Sequence, residues 1–89
     1  MAAELRMKRG GLPFQEIDGQ AVVVVPSRRE MHELDETATF LWRELERARS
    51  VADLVAALCG EFDVDPERAE KDVRAFIARL EEKGLVVRS

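Results

Sequence analysis

The run Ala21-Val22-Val23-Val24-Val25, closed by Pro26 and preceded by Asp18-Gly19, restricts the fold of this chain more than any other stretch. Four consecutive valines are stiff at χ1 and suit a pleated strand. Their unbroken apolar character marks a strand covered on both faces or paired on both sides. Asp18-Gly19 separates this run from Phe14-Gln15-Glu16-Ile17, and glycine tolerates the positive φ of a type I′ turn, so the two runs form a hairpin. Pro26 ends the strand and Ser27-Arg28-Arg29 makes a polar connection. Glu30-Met31-His32-Glu33-Leu34 then forms a short third strand, with Met31 and Glu33 on one face and His32 and Leu34 on the other.

At Asp35 the period changes. Asp35 is a good N-cap with Glu36 in the first turn, and Ala38, Leu41, Trp42 and Leu45 share one face of a helix that should run to about Arg47. Ser50, with Asp53 three residues on, starts a second helix through Val51, Leu54, Val55 and Leu58, with Gly60 as its expected terminator. Phe62 and Val64, in the linker that follows, should plug the core. Asp65-Pro66-Glu67 combines a cap, a proline at N1 and a first-turn acid, and so starts a third helix. Ala69, Val73, Phe76, Ile77 and Leu80 form its buried stripe, Lys83 suits its last turn and Gly84 its C-cap. Leu85 to Ser89 supply a final short strand.

The expected fold is therefore a small α+β, winged-helix-like domain. It has an N-terminal three-stranded antiparallel sheet, then three helices, then a short C-terminal strand. Residues 1–11 are expected to be a flexible lead-in and residues 12–89 the domain. At 89 residues the chain has room for one small core. No apolar run approaches the ~18 residues of a membrane span, and the N-terminus lacks the apolar segment of a secretory signal. A single cysteine, Cys59, fits a reducing, cytoplasmic setting. The formal net charge of −4 argues against nucleic acid and anionic membranes as partners.

The residue types that could carry chemistry do not assemble a catalytic pattern. His32-Glu33-Leu34 begins like a zincin motif but lacks the second histidine, and His32 with Cys59 is too small a set for a closed zinc site. Asp63 to Arg74 resembles the start of a calcium loop, yet Arg68 stands where glycine belongs and Arg74 where the bidentate glutamate belongs. There is no glycine-rich phosphate loop and no nucleophile elbow. The chain is read as a non-enzyme without metal or cofactor. Winged helices commonly bind DNA, and a DNA-binding regulator is the alternative reading. Against it, the third helix mixes six acids with five bases, and the second carries Asp53 and Glu61 with no base.

An edge strand presents unpaired N–H and C=O groups, a template for another chain. Glu30 to Leu34 would be such an edge, facing a third-helix surface where Ala75 and Ala78 leave room. The residues alone leave two readings open: a peptide-docking groove, or an ordinary edge beside a solvated helix.

The segments MHELDETATFLW, RSVADLVAAL and EFDVDPERAEKDVRAFIARLEEKGLV, spanning about Ile17 to Val87, resemble the PqqD-like family of precursor-peptide recognition elements. That resemblance implies a peptide chaperone in natural-product biosynthesis. The leader of a ribosomally made precursor would add beside the third strand and lie against the third helix. The domain would then present it to a radical SAM enzyme, a cyclodehydratase or a leader protease. Carried over, the peptide-binding residues are Glu30, Met31, His32, Glu33 and Leu34 on the strand, and Val73, Arg74, Ile77, Ala78 and Glu81 on the helix. A charged residue at Ile77 is expected to weaken binding without unfolding the domain, and proline at His32 to block it. Members serving pyrroloquinoline quinone resemble R-x-x-W-x-L-L-x-P-E before the third strand. Here GQAVVVVPSRRE stands in its place, without the tryptophan, so the chain looks more like a generic or different-pathway member, with the pyrroloquinoline quinone precursor less favoured. An exposed edge also invites self-pairing into a homodimer.

Overall fold

A computed structural model describes residues 6–88. In chain order the elements are β1 (Arg6–Arg9), β2 (Phe14–Ile17), β3 (Gln20–Val25), β4 (Glu30–Glu33), α1 (Glu36–Glu44), β5 (Arg49–Ser50), α2 (Val51–Glu61), α3 (Pro66–Lys83) and β6 (Val86–Arg88). The expected three-stranded antiparallel sheet is β2-β3-β4, with the valine strand in the middle. Asp18 and Gly19 both have positive φ, 54° and 81°, as a type I′ turn requires. Ala21, Val23 and Val25 point into the core, and Val22 and Val24 lie half-buried on the outer face.

The lead-in expectation fails for Arg6 to Arg9. Residues 1–5 lie outside the described residues, but β1 is the central strand of a second sheet, β5-β1-β6. Met7 is the reason: its side chain is only 2% exposed, and burying it stabilises the sheet by roughly 2 kcal/mol. The chain beyond β1 is tied down as well, through Arg9 N–H to Leu45 C=O and Gly10 N–H to Leu85 C=O, both 2.9 Å. The domain thus begins before residue 12.

The helix starts are as expected. Asp35 accepts from Ala38 N–H and Asp65 from Arg68 N–H, and Ser50 with Asp53 forms a reciprocal capping box. Ser50 N–H holds the Asp53 carboxyl below the usual carboxylate range. Two helix ends differ from expectation. α1 stops at Glu44, not near Arg47, because the chain must be extended by Arg49 to pair with Met7. α2 runs through Gly60 to Glu61, and Phe62, extended and packed edge-on against Phe40 at 5.6 Å, ends it. Gly84 takes the left-handed C-cap of α3, φ 73°, and Leu85 N–H returns to Leu80 C=O at 2.8 Å.

One core joins the layers. Trp42, fully buried, meets Phe14 edge-to-face at 5.8 Å. The Arg9 guanidinium stacks over Phe14 at 4.6 Å and donates to Trp42 C=O at 3.3 Å. Arg43 on α1 forks onto Glu16 on β2, clamping helix to sheet; that bond holds Glu16 below the usual carboxylate range and Arg43 above its ordinary value.

Candidate functional site

β4 is an outer strand of the β2-β3-β4 sheet, and among the described residues only one of its sides is paired. Two hydrogen bonds fix which groups face outward. Leu34 N–H donates to Ala21 C=O at 2.8 Å, and on the far side of β3, Val24 N–H donates to Pro13 C=O at 2.9 Å. Main-chain groups alternate sides along a strand. With Val23 opposite His32, His32 turns its N–H and C=O toward β3, and Met31 and Glu33 turn theirs to the open edge. Proline at His32 would therefore break the β3–β4 ladder, not the open edge, contrary to the expectation attached to that position.

Thr39 holds the end of this strand. Its hydroxyl donates to Leu34 C=O at 3.2 Å and accepts from Ala21 N–H at 2.8 Å. One buried side chain thus bridges two main-chain groups where β3 and β4 part. Nothing in the helical spacing singled it out, although a polar residue beside Ala38, Leu41 and Trp42 is a weak signal.

The strand side chains divide as the alternation predicts. Met31 is 68% exposed, and Glu33 is exposed beside it. Glu30 and His32 are half-buried on the inner face. There His32 Nε2 lies 3.1 Å from Glu30 Oε2, near enough for an ion pair but out of line for a hydrogen bond. Leu34, also on the expected list, is buried in the core.

On α3 the expected face is only partly available. Val73 and Ile77 are 0% and 5% exposed and belong to the core, so a charge at Ile77 would attack the fold, contrary to the expectation. Arg74, Ala78 and Glu81 are exposed, Arg74 being paired with Glu70 at 3.0 Å. A groove of about 360 Å³ runs between α1 and α3, lined by Asp35, Thr37, Ala38, Leu41, Asp72, Ala75, Phe76 and Arg79. Its α3 side (72, 75, 76, 79) is centred roughly 180° around the helix from the expected set (73, 74, 77, 78, 81), on the opposite face. The buried stripe of α3 is wide, and its pattern does not say which border meets α1. The groove opens two residues past the end of β4, at Asp35.

No group of three or more His, Cys, Asp or Glu side chains among the described residues is placed to hold a metal ion. No helix among them is long and apolar enough to cross a membrane.

The family model for coenzyme PQQ synthesis protein D (PqqD) matches residues 20–86. The chain belongs to this family. The matched span runs from the first residue of β3 into β6, so it takes in β4, the groove and all three helices. Among curated proteins, a PqqA binding protein of Xanthomonas oryzae pv. oryzae strain PXO99A is 33% identical over 75 residues, 84% of this chain and 79% of the relative. Its counterpart in strain KACC10331 / KXO85 is 36% identical over 67 residues, 75% and 71% of the two chains. Two solved structures share the architecture. TbiB1 in complex with the TbiA(beta) leader peptide has a TM-score of 0.81 and 28% identity, covering 89% of this chain and 93% of its own. Lasso peptide synthetase B1 complexed with the leader peptide has a TM-score of 0.78 and 28% identity, covering 96% and 99%.

Proposed function

We propose that this chain is a non-catalytic module that captures the leader of a ribosomally synthesised precursor peptide and presents it to a modifying enzyme. The observation that carries the reading is the open edge of β4, where Met31 and Glu33 each offer one N–H and one C=O beside a groove. An added strand gains main-chain hydrogen bonds there, and pockets for alternate side chains choose its sequence. Relatives named for binding PqqA, and two similar structures solved with leader peptides, support the same reading.

In this account Met31 and Glu33 pair with the leader, and Glu30 and His32 flank its inward side chains. Exposed Asp72, Ala75 and Arg79 border its path along α3, and Arg74, Ala78 and Glu81 lie on the opposite face of that helix, off the path. Leu34, Val73 and Ile77 hold the wall in place from within the core. The partner is a radical SAM enzyme, a cyclodehydratase or a leader protease, and the lone thiol fits a cytoplasmic setting. The segment before β4 lacks the tryptophan-containing pattern of the members that make pyrroloquinoline quinone, which favours a generic or different-pathway precursor over PqqA. A homodimer made by pairing two β4 edges would use the same groups, so self-association and leader binding compete.

The α3 surface disfavours DNA. Arg68 faces Asp72 and Arg74 pairs with Glu70, which leaves no continuous basic stripe for phosphates. The test is a fluorescence-anisotropy titration with synthetic leader peptides encoded beside this gene and with a PqqA leader. Saturable binding, tightest for the neighbouring leader, is expected. No binding to any leader, together with salt-sensitive binding to duplex DNA, would overturn the proposal.

A further inference from the structure

The groove between α1 and α3 is more selective than an apolar slot. Its floor is Leu41, Ala75 and Phe76, and three charged side chains stand on its rim: Asp35, Asp72 and Arg79. Two of the three are engaged. Asp35 Oδ1 accepts from Ala38 N–H at 2.8 Å, at the positive end of α1. Asp72 Oδ2 lies 3.8 Å from Arg68 Nε. Arg79 has no ion-pair or hydrogen-bond partner among the described residues. Seven helical residues, about 10 Å, separate it from Asp72, so the two mark different ends of the groove on α3.

An unpaired guanidinium at the lip of an apolar groove is a carboxylate receptor, because its planar fork matches both oxygens at once. Apolar surroundings strengthen that pairing by keeping bulk water off one side. A strand continuing past Glu33 reaches the groove mouth at Asp35, so side chains of the bound peptide come over the floor and the lip together.

Resting on the leader-binding reading above, we infer that the segment read by this groove carries a bulky apolar residue with an aspartate or glutamate beside it. The apolar side chain fills the floor and Arg79 holds the carboxylate. Arg79 is then a specificity-determining residue at a position that the expected set of contacts did not include.

The experiment is selection of a phage-displayed random peptide library on the immobilised protein, run in parallel on wild type, Arg79→Glu and Arg79→Lys. Arg79 is exposed, so all three should melt alike. Wild type is expected to enrich peptides with an apolar residue next to Asp or Glu, and Arg79→Glu to enrich Lys or Arg at that place. Arg79→Lys should keep the acidic preference with affinity about fivefold to tenfold weaker, since the fork is lost. Changing the selected acid to its amide should weaken binding to wild type and leave Arg79→Glu unharmed. Peptides that bind wild type with no acidic preference, or a preference unmoved by Arg79→Glu, refute the role of Arg79 and leave the leader-binding reading standing. Failure to enrich any peptide on wild type refutes both.

Discussion

Replacing Met31 by proline removes one N–H from the open edge of β4 and leaves the β3–β4 ladder intact, because the Met31 main chain faces away from β3. Proline is tolerated on an edge strand when its N–H side faces outward, and the residue before it, Glu30, is already extended, as proline demands. The fold should therefore survive. A strand added at this edge loses one donor, and the leader carbonyl opposite it is left unpaired. The cost is about 1–3 kcal/mol, or roughly 5- to 150-fold in Kd. Met31→Ala removes the thioether without touching the main chain and should keep most of the affinity. His32→Pro is the contrasting variant. It takes a donor from Val23 C=O inside the sheet and drives the ring toward β3, at a cost of at least about 1–3 kcal/mol in stability. In a domain of this size that lowers Tm by ~4 °C or more. Anisotropy with a fluorescent leader and thermal melts by circular dichroism read the two effects separately. Equal binding by Met31→Pro and wild type, or a His32→Pro variant that melts like wild type, would refute the assignment of inward and outward groups.

Other substitutions test the frame that holds the edge. Thr39→Val keeps the shape but strands buried Ala21 N–H and Leu34 C=O, and should cost about 1–3 kcal/mol in urea unfolding; a change below about 0.5 kcal/mol would rule out the bridge. Met7→Ala should cost about 2–5 kcal/mol if β1 is part of the core, whereas unchanged stability would return that segment to a lead-in. Ile77→Asp places a carboxylate in the core and should destabilise by roughly 3 kcal/mol or more; a variant that folds like wild type and loses only peptide would restore the groove-facing view of Ile77. Acid should weaken the fold through Glu16, bonded to Arg43, and Asp53, bonded to Ser50 N–H, both held below the usual carboxylate range. A depressed folded-state pKa gives stability that is full above the unfolded value and lost as pH falls through the folded one. Glu16→Gln and Asp53→Asn should therefore flatten the fall of the urea midpoint below pH ~5; an unaltered slope in both would contradict the assignment.

The local rules in the sequence specified most of this architecture. Asp18-Gly19, the valine run, the caps at Asp35, Ser50 and Asp65, and Gly84 each act within a few residues, where turn and cap chemistry decides the outcome. β1 escaped because a four-residue strand needs only one buried side chain. Met7 stands alone among charges, and the partners of β1, at Arg49–Ser50 and Val86–Arg88, are distant in sequence. The strand β4 was readable from its alternation. The parity of its main chain was not, because that depends on which β3 residues bond which neighbour. The α3 side of the groove was placed on the wrong face of the helix for a similar reason. Phe76 and Ile77 both belong to the buried stripe, and only the tertiary packing of α1 shows that Asp72, Ala75, Phe76 and Arg79 line the border against α1.

The most direct test of strand addition is amide hydrogen exchange along β4, with and without a saturating synthetic leader peptide encoded beside this gene. In the free protein His32 and Leu34 should be protected by β3, and Met31 and Glu33 should exchange quickly. With the leader bound, Met31 and Glu33 should slow markedly, while His32 and Leu34 keep the protection they had. Bound peptide with Met31 and Glu33 still exchanging freely would contradict docking at this edge.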